Sequence, residues 1–245
     1  DKQNFGKNQL FLGKKVMVEY TDPNPFKVFH IGHLMTNAIG ESLARIFEFC
    51  GAEVRRANYQ GDVGLHVAKA IAAKLRSGVV WMSAADIGVS YVQGEELFAK
   101  EPEYVQEINK KVYNRSDDAV NDAYDEGRTI SLAAFEEIYK LLGTKFDFYF
   151  FESEVAEEGK KIVEEYLKKG VFERSEGAVI FKGEQYGLHT RVFLTKEGLP
   201  LYEAKDLALA AHKFVAYPYD QSLVITASEQ NAYYAVVRQA MSFIY

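Results

Sequence analysis

Two histidines, His30 and His33, flank Ile31-Gly32 at the point where a loop passes into a long apolar-periodic segment, and Lys27 lies three residues before the first of them. At a helix start, side chains three residues apart face the same side. A helix N-terminus also carries unpaired N–H groups and the positive end of the dipole, which favour a phosphate. Imidazoles there can donate hydrogen bonds to phosphate oxygens, and a protonated ring would add charge. Lys27 would add a cation for a triphosphate, and Gly32, lacking a side chain, lets a base or ribose approach the backbone. Charge developing on an α-phosphate is stabilised by donors of this kind with little covalent help from protein. Taken alone, the tetrad also fits two surface histidines or an adventitious metal pair. A zinc site is disfavoured, because no third ligand type lies at a familiar spacing.

The elements that must position these residues can be read from periodicity. Residues 14–20, "KKVMVEY", alternate as a strand, and "TDPNPFKVF" is a loop because two close prolines prevent regular structure. From Ile31 to Cys50 the apolar set Leu34, Ala38, Ile39, Leu43, Ile46, Phe47 and Cys50 recurs at helical spacing, and Gly51 is the expected stop. Cys50 is expected to be a buried helix-end residue. Residues 52–59 form a second strand, followed by a glycine-rich turn, "QGDVGL". Strand, long helix and strand make a βαβ unit with a parallel sheet. Helical runs are expected at 65–77, 84–100, 102–126, 130–142 and 155–170, a strand at 146–153, and a small meander over residues 171–202. The chain then returns to α/β with the helix "EAKDLALAAHKFV", the apolar strand "QSLVITA" and a last helix from Ser228.

The expected fold class is therefore α/β, a nucleotide-type parallel sheet split by an insertion. Residues 1–66 form the first half of the nucleotide-binding fold. Residues 67–199 form an insertion, mainly helical with a small β meander, and residues 200–245 form a truncated second half. Length and composition agree with a packed core: 245 residues, 48% hydrophobic and 14% aromatic, with a mean hydropathy of −0.21. No run approaches the roughly twenty apolar residues that span a bilayer. The N-terminal "DKQNFGKNQLFLGKK" lacks the apolar centre of a signal peptide, so an intracellular, cytoplasmic protein is expected. A single cysteine excludes internal disulfides and any multi-cysteine zinc site. The net charge of −6 argues against a chain gripping nucleic acid over its whole surface.

The stretch from Val18 to His66 closely resembles the start of the catalytic domain of class I aminoacyl-tRNA synthetases, and within them the arginyl-tRNA synthetases. The resemblance rests on Glu19, Pro23-Asn24, Lys27, Phe29 to His33, and Gly61-Asp62-Val63-Gly64, without gaps. It continues more weakly through "AAFEEIYKLLGTKFDFYFFES", "EGLPLYEAKDLALA" and "VITASEQNAYY", and so covers nearly the whole chain.

The resemblance implies a class I synthetase Rossmann-like (HUP-type) sheet. The implied chemistry is activation of L-arginine by ATP, with Mg2+ accompanying the ATP, and transfer of arginine to tRNA(Arg). Lys27, His30 and His33 would be the catalytic residues, and with Gly32 they would bind ATP; Lys27 would stand in for a lysine loop further along the chain. Glu19 and Asp206 would hold the guanidinium, because planar carboxylates match its fork of donors. Tyr202 would close one wall of that pocket, and Asn24 and Gln230 would take the α-amino group. Without the resemblance, Glu19 reads as a polar strand end and Asp206 as a carboxylate favoured by a helix dipole. A monomer, no resident metal and no membrane contact are also expected. The resemblance also implies a catalytic-core fragment, with tRNA bound mainly through domains absent here.

Three positions depart from the family pattern: Asp22 replaces a small hydroxyl residue, Tyr233 replaces a histidine after the glutamine, and "EAKD" replaces Thr-Arg-Asp. An extra anion at Asp22 is expected to disturb α-carboxylate binding or to attract the α-amino group. Asp62 is expected near substrate, and His66 and His189 as polar surface or cap residues. Two alternatives accompany the main reading. One is a synthetase-like module that binds arginine or ATP without charging tRNA; the other is a different class I adenylate-forming enzyme.

Overall fold

The computed structural model describes residues 4–245. Internal contacts divide the chain into two compact units. The first comprises the chain up to Met17, Phe47–Arg55 and Glu154–Tyr245; the second comprises Val18–Ile46 and Arg56–Ser153. The elements begin with β1 (Lys15–Glu19), α1 (Ile31–Phe49), β2 (Glu53–Gln60), α2 (Leu65–Ser77) and α3 (Ala84–Lys100). Next come α4 (Pro102–Asn114), α5 (Asp118–Leu142), β3 (Phe148–Phe151), α6 (Glu152–Lys168), β4 (Glu173–Ser175) and β5 (Ala178–Phe181). The last are β6 (Arg191–Leu194), α7 (Tyr202–Ala216), β7 (Gln221–Val224) and α8 (Asn231–Met241).

One sheet has the strand order β3-β2-β1-β7 and a second, antiparallel sheet the order β4-β5-β6. β2 and β3 run parallel, with Ala57 opposite Phe148 and Gln60 opposite Phe151. β1, β2 and β3 are each followed by a helix, so the α/β class expected from the periodicity is the one observed.

Capping chemistry sets several boundaries. Ser83 accepts the Asp86 N–H at the start of α3, while Asp86 accepts from the Ser83 hydroxyl and the Met82 N–H. Gly78 and Gly143 end α2 and α5 in the left-handed region. The core of the second unit gathers Phe26, Val67, Ile71, Trp81, Ile87, Val105, Ile108 and Val120. The core of the first gathers Val163, Phe172, Phe181, Phe193, Leu207, Val236 and Val237.

Several local expectations need correction. The expected helices 102–126 and 130–142 divide elsewhere: the break falls at Arg115, which is left-handed (φ 51°), and Asp117 then caps a continuous α5 by accepting the Val120 N–H. Gly127, in the gap between those two expected helices, lies inside α5, where a Cβ would come within 2.3 Å of the Phe26 ring and 2.7 Å of Trp81. Its role is close approach. α6 begins at Glu152, directly after β3. β7 ends at Val224, so the expected strand to Ala227 is shorter than its apolar run.

α1 has the expected length, but it buries the opposite stripe. Asn37, Gly40 and Ala44 are its buried positions, whereas Leu34, Ile39 and Ile46 are exposed. The Tyr20 ring presses against Gly40, where a Cβ would meet it at 2.2 Å. Only small or hydrogen-bonded residues fit that face. Cys50 is half-buried and lies just beyond α1.

Candidate active site

The loop between β1 and α1 contains three non-glycine residues with positive φ: Thr21 (79°), Asp22 (45°) and Phe26 (68°). Such conformations persist only when surroundings over-determine them. Each has a partner in the second unit. The Thr21 hydroxyl accepts from Asn37 Nδ2 at 2.9 Å, and Asn37 Oδ1 in turn accepts from the Thr144 hydroxyl at 2.9 Å. Asp22 Oδ1 accepts the Tyr59 N–H at 2.8 Å. The Phe26 N–H donates to Ser131 Oγ at 3.1 Å, and its buried ring stacks on Tyr124 and meets Trp81 edge-on. Asp22 thus has a structural task in holding the loop to β2. The sequence shows only an extra anion that could disturb the α-carboxylate or attract the α-amino group, because its backbone partner is distant in sequence.

The histidine pair follows this loop. The two rings stack with centroids 3.7 Å apart and planes 20° from parallel. The His30 N–H donates to His33 Nδ1 (3.2 Å), and the Gly32 N–H donates to His30 Nδ1 (3.1 Å). A backbone N–H can only donate, so both Nδ1 atoms are acceptors and the proton of each neutral ring sits on Nε2. Burial, reinforced by the neighbouring His30 and Lys27, pushes His33 down to about 4. His33 is therefore uncharged at neutral pH, and the charged ring considered above is corrected for this residue. Gly32 has a second reason to lack a side chain, since a Cβ would stand 2.9 Å from His30 Cε1. Lys27 lies with its ammonium 5.3 Å from the centre of the Tyr91 ring.

The glycine-rich turn after β2 supports Asn24. Asn24 Oδ1 accepts the Gly61 N–H at 3.1 Å, which fixes the amide orientation. A Cβ at Gly61 would stand 2.5 Å from Asn24 Oδ1 and 2.9 Å from Glu152 Oε1, so the glycine is needed for close approach. Asp62 is fully buried. Its carboxylate accepts from Arg128 Nε (2.9 Å), the Tyr124 hydroxyl (3.0 Å), the Ser153 N–H (2.9 Å) and the Ser153 hydroxyl (2.8 Å). With four donors converging on it, Asp62 braces the turn against Tyr124 and Arg128 of α5 and against Ser153. His66 is buried, with Nε2 2.8 Å from the Gly61 carbonyl, and is no surface residue. Glu19 is buried at the C-terminal end of β1, the edge at which ligands bind open α/β sheets.

Tyr202, Asp206 and Gln230 belong to the first unit. Tyr202 opens α7 and is half-exposed; Asp206 lies one turn on and is buried. Gln230 is exposed in a single 3-10 turn, Ser228–Gln230, just before α8. The Tyr233 hydroxyl donates to Asp206 Oδ2 at 2.7 Å. Burial and the Asp206 charge push the Tyr233 phenol far up, so it stays protonated as that donor. The Arg191 guanidinium lies over this ring, 5.2 Å from its centre, and binds Glu203 at 3.1 Å. Thus six of the nine residues predicted for the site lie in the second unit and three in the first.

Against this geometry, residues 2–244 match the family described as tRNA synthetases class I (R), catalytic domain. The chain belongs to that family. Among curated relatives, the arginine–tRNA ligase of Treponema pallidum subsp. pallidum is 32% identical over 246 residues, covering 96% of this chain and 42% of its own. The arginyl-tRNA synthetase structure from Plasmodium falciparum is similar in fold, with a TM-score of 0.78 and 19% identity, over 95% of this chain and 40% of that one. The Thermus thermophilus arginyl-tRNA synthetase gives a TM-score of 0.60 and 25% identity, over 85% of this chain and 38% of that one. This chain thus spans less than half the length of the relatives just described. Among the described residues, no helix is long and apolar enough to cross a membrane. No group of three His, Cys, Asp or Glu side chains among them is placed to hold a metal ion.

Proposed function

We propose that this chain carries the adenylate-forming site of an arginine–tRNA ligase, activating L-arginine with ATP and passing it to tRNA(Arg). The observation that carries this reading is the pair of Nε2–H donors on His30 and His33, whose tautomers are set by backbone N–H groups within a chain of this family. The arginine carboxylate oxygen attacks the α-phosphorus and pyrophosphate leaves. The Nε2–H of each ring donates a hydrogen bond to phosphate oxygens, and the Lys27 ammonium offsets the growing negative charge. A hydroxyl at the tRNA 3′ end then attacks the acyl carbon, and AMP leaves.

Mg2+ would accompany the triphosphate as its counter-charge. By the family resemblance, Glu19 and Asp206 are assigned to the guanidinium and Tyr202 to the pocket wall, and Asn24 and Gln230 to the α-amino group. Residues 1–66 and 200–245 are the two halves of the nucleotide fold in this reading, which also places the protein in the cytoplasm as a monomer.

Calorimetric binding of a non-hydrolysable arginyl-adenylate analogue, beside lysyl and glutaminyl analogues, tests the proposal. The arginyl compound should be preferred, and Asp206→Ala should cost roughly 2–5 kcal/mol, as for removal of one partner of a buried charge pair. Equal binding of all three analogues would sink the arginine assignment. Arginine-dependent pyrophosphate exchange in the presence of tRNA(Arg) separates a ligase from a binding module.

A further inference from the structure

We propose that the helical segment α3 positions Lys27 for the nucleotide: the Tyr91 ring is the seat of the lysine ammonium, and Glu95 and Lys69 hold that ring in place. The inference rests on the ATP reading of Lys27 given above, and adds to it a residue from a helix that no part of that reading uses.

The Lys27 ammonium lies 5.3 Å from the centre of the Tyr91 ring. That is within the range where a cation is attracted to an aromatic face. α3 is held close to this loop, because Val28 Cγ2 packs where a Cβ on Gly88 would stand only 3.2 Å away. It is held equally close to α2. A Cβ on Gly94 would meet the Lys69 carbonyl oxygen at 2.2 Å, so the two helices touch through backbone at that point. Lys69 Nζ donates to Glu95 Oε2 at 2.6 Å and lies 4.6 Å from the Phe98 ring centre. Glu95 is held below the usual carboxylate range by Lys69 first and by a hydrogen bond with Tyr91 second. The ring that faces Lys27 is therefore itself tied to an ion pair bridging α2 and α3.

Two features make this seat suited to a phosphate-binding lysine. A π face attracts the ammonium without consuming an N–H, so its three donors remain for phosphate oxygens. A lysine held before binding has also lost its rotamer freedom on folding, so less is lost when ATP arrives. The charges around it are mixed: burial lowers the Lys27 pKa, Glu95 and Glu152 counter this, and Lys69 adds to it. An aromatic face stabilises the cation there without adding a further counter-ion that would compete with phosphate.

Reductive methylation with 13C-formaldehyde reports the contact directly, since a methylated ammonium over a ring face is shifted upfield by the ring current. The Lys27 resonance, assigned by its loss in Lys27→Arg, should lie upfield of the bulk lysine signals in the wild type and in Tyr91→Phe, and should return among them in Tyr91→Leu. In parallel, ATP binding to unmodified protein should weaken about threefold to tenfold in Tyr91→Leu, the span of a partly exposed cation–π contact. It should hold in Tyr91→Phe, and Tyr91→Leu should add nothing in a Lys27→Met background. A wild-type Lys27 resonance among the bulk lysines overturns the inference, whether or not Tyr91→Leu folds. Unchanged ATP affinity in Tyr91→Leu beside a weakened Lys27→Met overturns it too. If Lys27→Met leaves ATP binding untouched, it is the ATP reading of Lys27 that fails, and with it the positioning role built upon it.

Discussion

The Tyr233 hydroxyl donates to Asp206 Oδ2 at 2.7 Å, joining the residue that departs from the family pattern to the carboxylate proposed to receive the guanidinium. Both side chains are buried, and Tyr233 is further enclosed by Arg191 over its face and by Tyr234 in a T-shaped ring contact. A buried carboxylate without enough donors is costly. Tyr233 supplies one of those donors from α8 to α7.

Tyr233→Phe removes that donor while leaving the ring in place. It should destabilise the first unit by about 1–3 kcal/mol, the cost of leaving a buried acceptor under-satisfied. Urea unfolding of the two proteins would show this as a lower midpoint for the variant. Equal midpoints would mean that the hydroxyl is replaced by solvent.

The acid behaviour of His33 has a definite sign. Its folded pKa, about 4, lies below the ordinary 6.5. Between these values the unfolded chain therefore binds more protons than the folded one. The stabilisation from a neutral His33 is present above pH 6.5 and lost progressively as the pH falls toward 4. Histidine ring resonances followed by NMR should show one midpoint near that lower value, absent in His33→Asn. A His33 midpoint near 6.5 would contradict the buried, neutral ring.

At Gly127 the prediction is steric. Alanine is the better helix former, and in an open helix the change would stabilise by up to about 1 kcal/mol. Here the new methyl would drive into Phe26 and Trp81, so Gly127→Ala should instead destabilise by about 1–3 kcal/mol through overpacking. A thermal melt with unchanged or raised Tm would show that the loop carrying Phe26 can yield.

Asp62→Asn tests the brace beneath the glycine-rich turn. The variant keeps the shape but puts an N–H2 among donors from Arg128, Tyr124 and Ser153. Leaving a buried partner unpaired costs about 3–5 kcal/mol, and the partial exposure of Arg128 puts the expectation at the low end of that range. Because Gly61 holds Asn24, binding of the arginyl-adenylate analogue should weaken as well. A variant as stable as the parent would mean that the turn holds itself.

The sequence by itself determined the order of elements, since strand alternation, helical spacing and capping residues are local signals that survive in any tertiary setting. The spans 65–77 and 84–100 coincide with α2 and α3 because glycine and serine punctuate them. The same letters carried the family resemblance and, through it, the nine candidate site residues. Tertiary structure alone decided the rest. Which side of α1 is buried depends on the Tyr20 ring pressing at Gly40, a contact across elements that no helical period encodes. That α5 runs through Gly127 depends on Phe26 and Trp81 packing against it, a contact the sequence does not show. Asp22 and Asp62 look like free anions until the Tyr59 N–H and a ring of four donors reach them. The protonation of His33 follows the same rule: residue type sets the ordinary pKa, and only burial among folded neighbours can move it.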